Sequence, residues 1–110
     1  MKIIKTDKYT LIKPNSESLI EFLKKLKAEE KSIKNNHLII DISEKFNTNL
    51  VNLSVFLPLN EQQKQNGTSF VLIYNDDFEE DLLDKIDIVP TLIEAIDIIE
   101  MDAISRDLGF

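Results

Sequence analysis

Residues 38–59 read LIIDISEKFNTNLVNLSVFLPL, and how this stretch is interpreted decides the fold. An apolar run from Leu38 ends in Asp41, a polar turn follows, and a new apolar pattern begins at Leu50. A short apolar run without alternation marks a strand covered on both faces, as in the parallel sheets of α/β proteins. In such proteins, binding and catalytic groups collect where a strand hands the chain to a helix. This turn holds no glycine, histidine or cysteine, and no serine between Ser43 and Ser54. The place where the fold would put its chemistry lacks the usual chemical groups.

Working outward toward the N-terminus, KIIKTDKYTLIK (residues 2–13) is two extended runs about a turn at Thr6 to Lys8, which predicts a β-hairpin. Pro14 stops it. NSESLIEFLKKLKAEEKSIKN (residues 15–35) sets Leu19, Ile20, Leu23, Leu26 and Ile33 at helical spacing with lysines opposite, and Asn15 or Ser16 is placed to cap the helix. Downstream, Thr48 to Gln65 reads as a helix stopped by Gly67 and bent or shortened by Pro58. SFVLIYN (residues 69–75) is a second buried strand, and residues 76–86 form a short helix with Phe78, Leu82 and Leu83 inward. DIVP is a brief strand. A closing helix over residues 91–109 opens with Thr91 and Glu94 as a capping box. The order β-β-α-β-α-β-α-β-α predicts an α/β fold with a mixed, mostly parallel sheet, packed helices and an antiparallel start. One domain is expected over residues 1–110, with 101–110 as a C-terminal helical extension.

Composition narrows the function classes. The chain is 43% hydrophobic and 30% charged, as in ordinary globular proteins, and has no apolar run of membrane-spanning length. Residues 1–10 lack the apolar core of a signal peptide, and cysteine is absent, which together lead us to expect a cytoplasmic protein. The net charge of −7 argues against general nucleic-acid binding. Lysines crowd residues 2–34, and acid concentrates near residues 76–87.

No catalytic constellation emerges. Zinc and most transition metals want histidine or cysteine, and the single histidine, His37, opens a buried strand, where a hydrogen bond to backbone is the expected role. No calcium-loop pattern, G-x-S-x-G elbow or glycine-rich phosphate cradle is present, the glycines being Gly67 and Gly109 alone. Asp41 at a strand end is the best single acid–base candidate, but capping the turn by accepting backbone N–H groups is the favoured structural role. A non-enzymatic protein needing neither metal nor cofactor is expected.

HLIIDIS (residues 37–43) resembles the "vvlDls" strand of STAS domains, the fold of bacterial anti-sigma-factor antagonists. TSFVLIYN (residues 68–75) and VPTLIEAIDII (residues 89–99), with a threonine capping a helix that carries Glu94-Ala95, follow in that family's order. The resemblance covers residues 8–100, and the tail IIEMDAISRDLGF is similar to a subgroup of small bacterial STAS-like proteins. Signalling members carry Asp-Ser-Ser-Gly after this strand, and a kinase phosphorylates one serine. The resemblance puts that motif on Asn49, Leu50, Val51 and Asn52, so Val51 stands at the phosphoacceptor position. Valine has no hydroxyl, and the switch cannot operate there. Thr48 and Ser54 are the remaining hydroxyls nearby, better suited to capping and helix packing.

The resemblance implies a protein-interaction domain, an anti-sigma-factor-antagonist-like regulator without the serine switch. Its partner would be an anti-sigma factor or kinase-like regulator. Its contact surface would run from Ser43 to Ser54: apolar Phe46, Leu50 and Val51 with a polar rim of Asn47, Thr48, Asn49 and Asn52. Two alternatives stand beside it. One is a small-ligand or nucleotide sensor. The other is an accessory or self-association module acting through the last helix, whose Ile93, Ile96, Ile98, Ile99, Met101 and Ile104 exceed what one buried face requires.

Overall fold

The computed structural model describes residues 1–15, 18–43 and 52–109. The protein is α/β, built on a five-stranded mixed sheet in sequential order. β1 (Lys2–Lys5) pairs antiparallel with β2 (Thr10–Lys13), and β3 (Leu38–Asp41), β4 (Phe70–Ile73) and β5 (Asp87–Val89) follow, each parallel to its neighbour. The hairpin turn is held by Thr6, whose hydroxyl accepts from the Lys8 and Tyr9 N–H groups. The helices are α1 (Leu19–Ala28), the single-turn α2 (Glu30–Ile33), α3 (Leu57–Gln65) and α4 (Leu92–Asp107).

The unbroken apolar runs of β3 and β4 follow from this order. Parallel strands laid down in sequence, joined by right-handed crossovers, put every connecting helix on one face of the sheet. Side chains alternate across a strand, so Leu38, Ile40, Phe70 and Leu72 meet Phe22, Leu26, Ile33, Leu53 and Phe56 from that helical layer. Ile39, Val71 and Ile73 point the other way and would lie in water. α4 crosses back beneath the sheet and covers them with Ala95 and Ile99. Each such Leu, Ile or Phe contributes about 1.5–3 kcal/mol when fully buried, so both layers are needed.

Local chemistry sets the helix limits. α1 begins at Ser18, whose hydroxyl accepts from the Glu21 N–H at 3.2 Å, rather than at Asn15 or Ser16. The correction has a simple cause: a cap must sit immediately before the first helical residue, which is Leu19. The helix expected from Thr48 to Gln65 is shorter. Residues 48–51 lie outside the described residues, Leu53–Phe56 form a 3-10 turn, and α3 starts only at Leu57. Pro58 dictates this start, because its missing N–H is harmless only in a first helical turn. α3 ends as expected at Gly67, whose φ of 76° lets its N–H reach Lys64 O at 3.0 Å and the Thr68 N–H reach Gln63 O at 2.9 Å. Between β4 and β5, Glu80–Asp84 form a 3-10 helix. Phe78 and Leu82 pack on the core, but Leu83, expected inward, is 50% exposed. With three residues per turn, adjacent leucines lie about 120° apart and only one can face the sheet.

Candidate interaction surface

Four parallel strands end at the same edge, where an α/β sheet ordinarily keeps its site. Asp41 terminates β3 there. Its Oδ1 accepts from the Ser43 N–H at 3.0 Å and from the Ser43 hydroxyl, while Lys13 Nζ stands 3.6 Å from Oδ2. The carboxylate is thus engaged by its own turn and by the neighbouring strand, the capping arrangement favoured for it above. At the far side of the segment, Asn52 is exposed, and its Oδ1 accepts from the Ser54 N–H at 3.1 Å and the Ser54 hydroxyl at 2.6 Å. Ser54 is half-buried in the 3-10 turn, its hydroxyl hydrogen committed to Asn52. Phe46, Asn47, Thr48, Asn49, Leu50 and Val51 lie outside the described residues. Thr91 caps α4 as expected: its hydroxyl accepts from the Glu94 N–H and lies 3.3 Å from the Glu94 carboxylate, to which it donates.

The opposite edge carries a denser polar cluster that the sequence reading missed. Ser69, buried just before β4, donates from its hydroxyl to Asp102 Oδ2 at 2.7 Å and accepts from Arg106 Nη2 at 3.3 Å. The Ser69 N–H donates to His37 Nδ1 at 2.9 Å. His37 therefore hydrogen-bonds to backbone, as expected for it, and holds the tautomer with the proton on Nε2. Serine, histidine and aspartate meet here without forming a nucleophilic triad: the ring accepts from the Ser69 backbone, and the hydroxyl proton already points at Asp102. Burial and the nearby Arg106 guanidinium lower the His37 pKa below its ordinary 6.5, against a smaller opposing effect of Asp102. Burial and the Asp102 charge raise that of Asp87, at the start of β5, with Lys64 opposing. Ser69, Asp87, Asp102 and Arg106 line a cleft of about 270 Å³ with Lys64, Thr68 and Ser105. Only the helical folding of 92–107 brings Asp102 and Arg106, four apart, onto the side facing Ser69. Nothing in their spacing from Ser69 announced it.

Among the described residues, two apolar surfaces are open to solvent. α4 sorts its isoleucines: Ile99 is buried, Ile96 and Ile98 are half-buried against the sheet, and the rest face outward. Ile93 is 75%, Met101 65%, Ile104 58% and Leu108 66% exposed. At 100° per residue these four fall within an arc of about 80°, opposite the sheet. Asp97 and Glu100 lie in the same stripe, both exposed. On the other face of the molecule, α1 and α3 leave a groove of about 330 Å³ floored by Leu23, Leu26, Val55, Phe56 and Leu59. Among the described residues, no group of three or more His, Asp or Glu side chains is placed to hold a metal ion, and no helix is long and apolar enough to cross a membrane. Compared with known proteins, the chain matches no protein-family model and no curated protein sequence at a significant level.

Proposed function

We propose that the chain is a non-enzymatic protein-interaction domain of STAS-like type, acting in the cytoplasm as an anti-sigma-factor-antagonist-like regulator without a serine phospho-switch. The observation that carries the interaction reading is the α4 stripe, where four large apolar side chains more than half exposed share one face of a well-formed helix. Scattered exposed apolar residues need no explanation, but an aligned row along one helix costs solubility and marks a contact surface. The state of the sheet's carboxyl edge agrees with it. Asp41 and Ser54 spend their polar groups on local capping. The STAS-like part rests on the resemblance, with residues 43–54 as the surface toward the regulatory partner and Val51 in place of the phosphoserine. A protein captured from native lysate by the wild-type chain should be lost with Ile104→Asp if α4 is the contact, and with Val51→Asp if residues 43–54 are. Capture unchanged by both variants would overturn the reading.

A second reading, a small-ligand sensor, is favoured by the cleft at Ser69, where Lys64 and Arg106 stand with Asp87 and Asp102. Such a mixture of charge suits a ligand carrying both signs. A thermal-shift series with nucleotides and amino acids tests it, and no shift with any of them removes it.

A further inference from the structure

We infer that the partner of the α4 stripe is a second copy of this chain, which receives the stripe in its α1–α3 groove; this rests on reading α4 as an interaction surface. The two surfaces are both apolar and differ in the sign of the charge around them. The stripe is an apolar ridge, and the groove is an apolar recess on the opposite side of the sheet, with Val55 and Leu59 partly open in its lining. Exposed Asp97 lies within the ridge and Glu100, 3.9 Å from Lys8 Nζ, lies at its edge, whereas α1 presents Lys24 and Lys27, with Lys31 beyond, exposed along one face at spacings of three and four residues. Lys27 itself lines the groove. α4 carries five acidic residues against Arg106 alone, while residues 19–33 carry four lysines against three glutamates, one of which, Glu30, is engaged by Gln62. Placing ridge in groove sets Asp97 against the lysines that border the recess and apolar groups against apolar groups, so charge and apolar contact act together.

Charge also decides against the simplest alternative, two copies of α4 packed antiparallel about a two-fold axis. Matching Ile93 with the second copy's Leu108 sets that axis between residues 100 and 101, so the two Glu100 carboxylates meet at the centre. Like charges there oppose the contact. The ridge and the groove lie on opposite faces of the sheet, so after pairing one copy keeps a free groove and the other a free ridge. The association is heterologous and grows head to tail.

Sedimentation velocity of the full 110-residue chain tests this. Over a range reaching about 0.5 mM, the wild type should form a series extending past the dimer, weakened at least tenfold in affinity between low salt and ~0.5 M salt. Ile104→Lys blocks the ridge, and Lys24→Glu with Lys27→Glu blocks the groove. All three positions are exposed, so far-UV circular dichroism should not change. Each variant alone should be monomeric. Mixed in equal amounts they should form a dimer and nothing larger, because one supplies an intact ridge and the other an intact groove. A wild type that stops at the dimer, or variants that stay monomeric when mixed, would overturn the inference. A wild type monomeric throughout, together with loss of a captured protein on Ile104→Asp, refutes self-pairing while leaving the interaction reading intact.

Discussion

Replacing Ser69 by alanine should weaken the hold of the sheet on the C-terminal half of α4. The Ser69 hydroxyl is buried, donates at 2.7 Å to the Asp102 carboxylate and accepts from Arg106 at 3.3 Å. A hydrogen bond to a charged group contributes about 1.5–3 kcal/mol. Asp102 is half-buried and recovers part of its hydration once the hydroxyl is gone. The expected loss is therefore about 1–2 kcal/mol. Unfolding entropy near the midpoint is about 0.23 kcal/mol/K for a chain of 110 residues, so the melting temperature should fall by about 4–9 °C. Urea denaturation should show a lower midpoint at unchanged slope, the sign of lost stability without a changed denatured state. Ser105→Ala is the control: that serine is exposed beside the same cleft and should move stability by less than about 0.5 kcal/mol. A double-mutant cycle with Asp102→Ala should give a coupling of about 1 kcal/mol. A Ser69→Ala loss below the Ser105→Ala value, or strict additivity with Asp102→Ala, would refute the reasoning.

Thr91→Ala removes the α4 cap and should cost about 1 kcal/mol by urea denaturation, since its hydroxyl satisfies the Glu94 N–H. The pKa of His37 lies below 6.5 in the fold, so the unfolded chain binds the proton more readily, and stability should decline as pH falls through 6.5 toward the folded value. His37→Asn, which keeps an acceptor for the Ser69 N–H, should flatten that part of the thermal-unfolding profile. Asp87 acts in the opposite sense. Its folded pKa is raised, so its contribution is present at acid pH and is lost as pH rises above 3.8, and Asp87→Asn should raise the melting temperature at pH 7.

Local patterns were sufficient for the elements whose cause is local. The hairpin follows from two extended runs about Thr6, the α4 cap from Thr91 with Glu94, and the end of α3 from Gly67, because each rests on hydrogen bonds within a few residues. The start of α3 was misjudged because an apolar run from Leu50 satisfies a helix period and a turn equally, and the position tolerated by Pro58 decides between them. Leu83 faces water because adjacent residues of a helical turn lie about 100–120° apart, so Leu82 and Leu83 cannot both face the sheet.

Unbroken apolar runs suffice to mark residues 38–41 and 70–73 as strands covered on both sides, and hence an α/β fold with a mostly parallel sheet. The lack of alternation carries that information, because successive side chains point to opposite faces of the pleat and those of residues 38–40 and 70–73 are all apolar. Composition also marks α4 as richer in isoleucine than one face can bury. Which of those isoleucines reach the sheet and which remain in water, and the meeting of Ser69 with Asp102 across 33 positions, emerge only in the folded molecule. The reason is geometric: the rotation of a helix about its axis, and the meeting of a strand's start with a helix's end, are fixed by packing between layers.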